Sequence, residues 1–128
     1  VKLRHLDAWN EARRQVAAWY DELLEGKEAV ERVKTREDAV HVRHLYVIQI
    51  ERRDEVLKAL QDQGIGAGIH YPVPLHEQPV FSHLGYGSDD LPITSAAARR
   101  ILSLPLFPEM SQAQVERVAE TLLAAVSS

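Results

Sequence analysis

Cysteine is absent from this 128-residue chain, and that one gap removes disulfides, zinc–thiolate centres and cysteine nucleophiles together. Lysine is scarce, with only Lys2, Lys27, Lys34 and Lys58. They fall at the terminus, in a turn, in a charged stretch and near the end of a polar helix face. None has the desolvated setting that lowers an amine's pKa for Schiff-base chemistry. No apolar run approaches the ~20 residues of a membrane span, and residues 1–5 lack the apolar core of a signal peptide. Excess positive charge is missing too, the formal net charge being −4. The pairs Arg13-Arg14, Arg52-Arg53 and Arg99-Arg100 sit beside acids or on helix flanks and read as solvated surface. This argues against a nucleic-acid or membrane-surface partner. The lack of cysteine fits a reducing compartment, so a cytoplasmic protein is expected.

What is present is ordinary for a globular fold: 45% hydrophobic and 27% charged residues, at a length that suits one domain with one core. Leu3, Leu6, Trp9, Val16, Tyr20 and Leu23 recur at three- and four-residue steps and predict an amphipathic helix over 3–24, ended by Gly26. The chain opens on Val1 with that register already running, as expected of a chain begun mid-pattern. Residues 29–33 fit a short strand. Residues 44–50 are the clearest strand, apolar on both faces and therefore expected at the centre of a sheet covered on two sides.

Residues 54–63 predict a helix stopped by Gly64, and residues 65–71 a second strand thinned by Gly66 and Gly68. The loop 72–92 is long for a compact domain and stiffened by Pro72, Pro74, Pro79 and Pro92. Thr94 is the expected cap of an alanine-rich helix through Leu102, followed by an extended run at 104–108. Ser111 with Gln114 forms a capping box for a last helix that turns Val115, Val118, Leu122 and Val126 inward. The order predicts an α/β domain spanning 1–128, with a small mixed or antiparallel sheet of three to four strands flanked by helices.

Chemistry, where the sequence offers any, gathers in the segment 68–79. A stiff loop that carries His70, Tyr71 and His76 behind a glycine-rich turn is suited to presenting side chains. Three readings of its histidines stay open: polar loop residues, ligand contacts, or part of a metal site that His83, Glu77, Asp89 and Asp90 would complete. The spacings do not match a helical zinc pair. No Gly-x-Ser-x-Gly elbow or P-loop is present. Gly64-Ile65-Gly66-Ala67-Gly68 follows a helix and leads into a strand, the reverse of the order that aims backbone amides at a phosphate.

Three stretches together resemble one family, the DegT/StrS-type pyridoxal-phosphate-dependent sugar aminotransferases. They are Leu3-Arg4-His5-Leu6-Asp7-Ala8-Trp9-Asn10 with Arg13-Arg14 and Trp19-Tyr20-Asp21-Glu22-Leu23-Leu24; Gly68-Ile69-His70-Tyr71-Pro72-Val73-Pro74-Leu75-His76 with Gln78-Pro79; and Leu91-Pro92-Ile93-Thr94 through Ala98 with Ile101-Leu102-Ser103-Leu104-Pro105-Leu106-Phe107-Pro108. The resemblance covers the family's C-terminal third. It implies the small domain of a fold-type I aminotransferase, with residues 1–25 as the helix linking to an absent large domain that holds the Schiff-base lysine.

In the family, a nucleotide-linked keto-sugar receives an amino group, usually from glutamate, and the cofactor supplies the carbanion chemistry. The small domain closes one wall of a site shared between two subunits. By this resemblance His70, Tyr71 and His76 contact the substrate, positioning the sugar or its phosphates by hydrogen bonds, with no catalytic residue on this chain. Pyridoxal phosphate is then the parent's cofactor, and none is expected on this chain alone. Family members usually place a glutamate where Ser95 stands. The resemblance implies a domain inactive by itself; a stand-alone binding or oligomerisation module is the competing reading. Apolar residues of the first helix, uncovered by a large domain, lead to the expectation of a homo-oligomer or a pairing with the missing domain.

Overall fold

The computed structural model describes residues 1–127, in the order α1 (Leu6–Leu23), β1 (Glu31–Arg32), β2 (Tyr46–Gln49), α2 (Arg53–Asp62), α3 (Pro92–Arg100), β3 (Ile101–Leu104) and α4 (Gln112–Val126). The three strands form one antiparallel sheet, β1-β2-β3, which decides between the two sheet types expected. Tyr46 faces Leu104 and Ile48 faces Leu102 across β2 and β3, while Glu31 faces Gln49 across β1 and β2.

Side chains alternate across a strand, so one sheet face carries Tyr46, Ile48, Leu102 and Leu104, all buried. Helix α4 packs against both α1 and α2, and these helices complete the core with Val16, Ala17, Tyr20, Val56, Leu60, Val115, Val118, Ala119 and Leu122. Tyr20 is its keystone. Its ring stacks on Tyr46 with centroids 4.7 Å apart, and its hydroxyl donates to the Pro105 carbonyl at 3.0 Å. Burial pushes the phenol well above its ordinary pKa.

The strand β2 is central as its composition predicts, but it is not equally covered on two sides. Leu45 and Val47 on the outer face are only half-buried, since all the core helices lie on the other. The first helix is also less buried than its stripe suggests. Its packing begins at Val16, while Leu3 and Leu6 are 82% and 42% exposed, because no described element packs over its first turns.

Two expectations about the second half are corrected. Residues 65–71 make no strand: Gly68 alone bridges to Ser103, by Gly68 N–H to the Ser103 carbonyl at 3.0 Å and Ser103 N–H to the Gly68 carbonyl at 2.8 Å. The glycines leave too few side chains to sustain a ladder. The alanine-rich helix begins two residues before Thr94, with Pro92 in its first turn and no side-chain cap. Proline's missing N–H is costless there and its φ is already helical. That helix stops at Arg100, not Leu102, and residues 101–104 become β3. Arg53 closes this junction, since Nη1 donates to the Ala98 and Ile101 carbonyls at 3.2 and 3.1 Å. With 9% of its side chain exposed, Arg53 is a buried brace and not the solvated charge its sequence neighbours imply.

The other turns hold as read. Gly26 and Gly64 take positive φ just beyond α1 and α2, a conformation that favours glycine. Ser111 and Gln114 form the reciprocal capping box at α4. Ser111→Ala is expected to lower stability by about 1 kcal/mol in a urea titration, the usual worth of an N-cap.

Candidate functional site

The segment 68–78 leaves the sheet edge at Gly68 and passes in front of α3. Ser103 stands between Leu102 and Leu104 in β3, so the pleat turns it to the sheet face opposite the helices, where it is 4% exposed. There its hydroxyl lies 3.0 Å from His70 Nδ1. Gly68 permits this: a Cβ built on it would come within 3.3 Å of His70 Cε1. The ring of His70 is therefore pinned at one nitrogen, and Tyr71 packs edge-on against it at 5.5 Å while remaining 72% exposed.

Beyond Tyr71 the prolines give way to a 3₁₀ turn at Leu75–Glu77, with a second at Pro79–Leu84. Gln78 fastens the first, its Nε2 donating to the Val73 carbonyl at 3.1 Å. Between this segment and α3 runs an open groove of about 430 Å³, floored by Ala97, Ala98 and Ile101 and walled by Tyr71, Val73 and Leu75. A broader concavity of about 600 Å³ lies around Asp21, Arg32 and Arg43 and shares no residue with the groove. Asp21 is already engaged there by the Tyr46 hydroxyl at 2.8 Å and by Arg32 and Arg43, so the narrower groove beside His70 and Tyr71 is the better candidate site.

His76 is placed differently from the other two predicted residues. Its side chain is only 8% exposed, tucked against α3. Nε2 lies 3.3 Å from the Ser95 hydroxyl and 3.4 Å from Glu77 Oε1. Ser95, itself 2% exposed, donates its hydroxyl proton to the same Glu77 oxygen. That hydrogen bond, opposed by desolvation and helped by Ser88 and by the charges of His76 and Arg99, holds the Glu77 carboxyl below its ordinary range. Glu77 thus brings a carboxylate against Ser95 and His76. Sequence reading missed Glu77 in this role; the signal available was the acid one residue beyond His76.

So the structure brings Tyr71 to the groove, hangs His70 from the outer sheet face beside it, and sets His76 behind in a polar cluster with Ser95 and Glu77. His83 is bound elsewhere, its Nδ1 3.1 Å from the Val80 carbonyl. Among the described residues no three His, Asp or Glu side chains gather where they could hold a metal ion, so the geometry gives no support to a hydrolytic metal centre. A pyridoxal aldehyde needs a lysine whose amine is desolvated. Lys2, Lys27, Lys34 and Lys58 are all exposed, and Lys58 is tied to Asp62 at 2.7 Å. The residues of this chain do not by themselves fit that cofactor. No described helix is long and apolar enough to cross a membrane.

Comparison with known proteins identifies the family. Residues 1–123 match the DegT/DnrJ/EryC1/StrS aminotransferase family. The chain is 38% identical, over 92% of its length and 31% of the relative's, to the UDP-N-acetyl-3-dehydro-alpha-D-glucosamine 3-aminotransferase of Acidithiobacillus ferrooxidans. It is 36% identical, over 95% of its length and 32% of the relative's, to the dTDP-3-amino-3,4,6-trideoxy-alpha-D-glucose transaminase of Streptomyces venezuelae. Its fold superposes on S. venezuelae DesV, crystallised with a ketimine intermediate, at a TM-score of 0.94 and 35% identity, covering 99% of this chain and 34% of that one. A Brucella abortus member gives a TM-score of 0.88 at 31% identity, over 99% and 34%. The chain spans about a third of the length of the relatives it matches. With the helix, the His-Tyr-Pro loop and the small antiparallel sheet all in place, this chain belongs to the DegT/DnrJ/EryC1/StrS aminotransferase family.

Proposed function

We propose that residues 1–128 act as the small domain of a pyridoxal-phosphate-dependent nucleotide-sugar aminotransferase, with 1–25 as the helix leading to a lysine-bearing domain. The domain forms one wall of the sugar site and is not catalytic alone. Family membership over 1–123 supports this, as do the two relatives whose names specify nucleotide-sugar substrates. The observation that carries it is the conjunction of that match with four exposed lysines. Schiff-base chemistry needs a desolvated amine, and none of the four is withdrawn from solvent.

In this reading Tyr71 and His70 face the ligand. Tyr71 offers an aromatic wall to the groove. His70 is pinned through Nδ1 by Ser103 and is exposed beside it. His76 is the third contact, reached from the side and held by Ser95 and Glu77. None of them abstracts the substrate's proton, a task for the lysine outside this chain. The exposed Leu3 and Leu6 at the start of α1 support association with a large domain or a second copy, and nucleotide sugars as substrates support a cytoplasmic setting.

The test is chemical. The protein is mixed with pyridoxal phosphate, reduced with borohydride and mapped by mass spectrometry. Substoichiometric labelling scattered over exposed lysines is the expected outcome. Stoichiometric trapping at a single lysine, or turnover of amino donor and keto-sugar by this chain unaided, refutes the reading.

A further inference from the structure

The two anchored histidines are held by opposite nitrogens. His70 is engaged through Nδ1, whereas His76 is engaged through Nε2. The partners at His76 decide more than its orientation. The hydroxyl of Ser95 has one proton and gives it to Glu77 Oε1, so toward His76 it offers only lone pairs. The second atom facing His76 Nε2 is that same carboxylate oxygen, at 3.4 Å, and Glu77 is ionised at neutral pH. Two acceptors therefore converge on one ring nitrogen. An unprotonated Nε2 would set its lone pair against both of them in a site that is mostly closed to water, the costly arrangement for a buried polar atom.

The other nitrogen is free. Nδ1 of His76 has no hydrogen-bond partner among the described residues. It is not among their fully buried unpaired side-chain atoms, so His76 Nδ1 keeps contact with solvent.

We propose that Glu77 and Ser95 lock neutral His76 as its Nε2–H tautomer, which makes Nδ1 a hydrogen-bond acceptor at the surface and selects a donor group, a hydroxyl or N–H, as its ligand. Glu77 is thus a positioning residue acting through His76. This deepens the nucleotide-sugar reading, on which only the identity of the ligand rests: it assigns His76 to a sugar hydroxyl or base N–H and not to a phosphate oxygen. The tautomer itself follows from this chain's own geometry.

Nitrogen-15 NMR of the histidine side chains, on the ligand-free protein at about pH 9 where imidazole is neutral, reads the tautomer directly. His76 is assigned by the signal lost in His76→Gln. The expected spectrum shows His76 protonated at Nε2 and His70 serving as the internal reference. In Glu77→Gln, an isosteric change at a partly exposed side chain, the ratio of the two tautomers should fall about tenfold, the difference between a charged and a neutral acceptor. Millimolar inorganic phosphate should leave the His76 Nδ1 resonance unmoved. A predominant Nδ1–H tautomer in the unmutated protein overturns the proposal whatever becomes of the variant. So does a ratio indifferent to Glu77→Gln in a variant that retains its thermal unfolding transition, or a phosphate-induced shift at His76 Nδ1. Because no sugar is present, none of these outcomes can be confused with failure of the aminotransferase reading.

Discussion

Tyr20→Ala is expected to lower the free energy of unfolding by about 4 kcal/mol, the scale of deleting a buried aromatic side chain. Tyr20 is fully buried and joins three layers at once. Its ring stacks on Tyr46 of the central strand, its backbone belongs to α1, and its hydroxyl reaches the Pro105 carbonyl just past β3. Removal leaves a cavity between helix and sheet that neither can collapse to fill, and strips the Pro105 carbonyl of its donor. Tyr20→Phe separates these effects. It keeps the ring and should cost about 1 kcal/mol for the lost hydrogen bond alone. Urea unfolding followed by circular dichroism measures both. A loss under 1 kcal/mol for the alanine variant would show that the stacked pair is not the centre of the core.

Leu122→Ala is the second large effect, at about 3 kcal/mol. Leu122 has no exposed surface and lies on α4, which packs against both α1 and α2. Truncation there loosens two helix contacts together. The slope of the urea transition should stay as in the unmutated protein, since the same surface is exposed on unfolding. Set against the 5–15 kcal/mol typical of a domain, either substitution removes a large share. Exposed changes at Leu3 or Ile93, both above 80% exposed, should move the midpoint hardly at all, unless a partner domain covers them.

These two residues also mark how far the sequence could be read. The three- and four-residue steps through Val16 and Tyr20, and again through Val115, Val118 and Leu122, name the buried helix faces, because a helix buries one stripe and periodicity reports the stripe. Caps and stops are equally local: Ser111 with Gln114, Gly26 and Gly64 each act within a few residues. The His-Tyr-Pro loop was legible as well, since three prolines and two histidines in twelve residues have no use inside a regular element.

The sequence missed what depends on a neighbour from elsewhere in the chain. Residues 101–104 follow α3 with no turn residue between them, so nothing local says strand; β2 pairing alone makes them one. Residues 65–71 look like a strand and are not, because Gly66 and Gly68 leave a single bridge to Ser103. Arg53 reads as surface charge until the α3–β3 junction supplies two carbonyls for it. At the candidate site, Tyr71 and His70 were found by residue type. Glu77 was read only as a possible metal ligand, since its place beside Ser95, eighteen positions away, is made only by packing.

Sequence alone determined the buried faces of α1 and α4, the stops of α1 and α2, the cap of α4, the stiff His-Tyr-Pro loop and, by resemblance, the family; each is written in residues close together along the chain. Tertiary structure decided the antiparallel sheet, the identity of β3 and the polar cluster behind His76. Hydrogen bonds between distant residues have no periodicity to betray them, and only the folded chain brings donor and acceptor within reach.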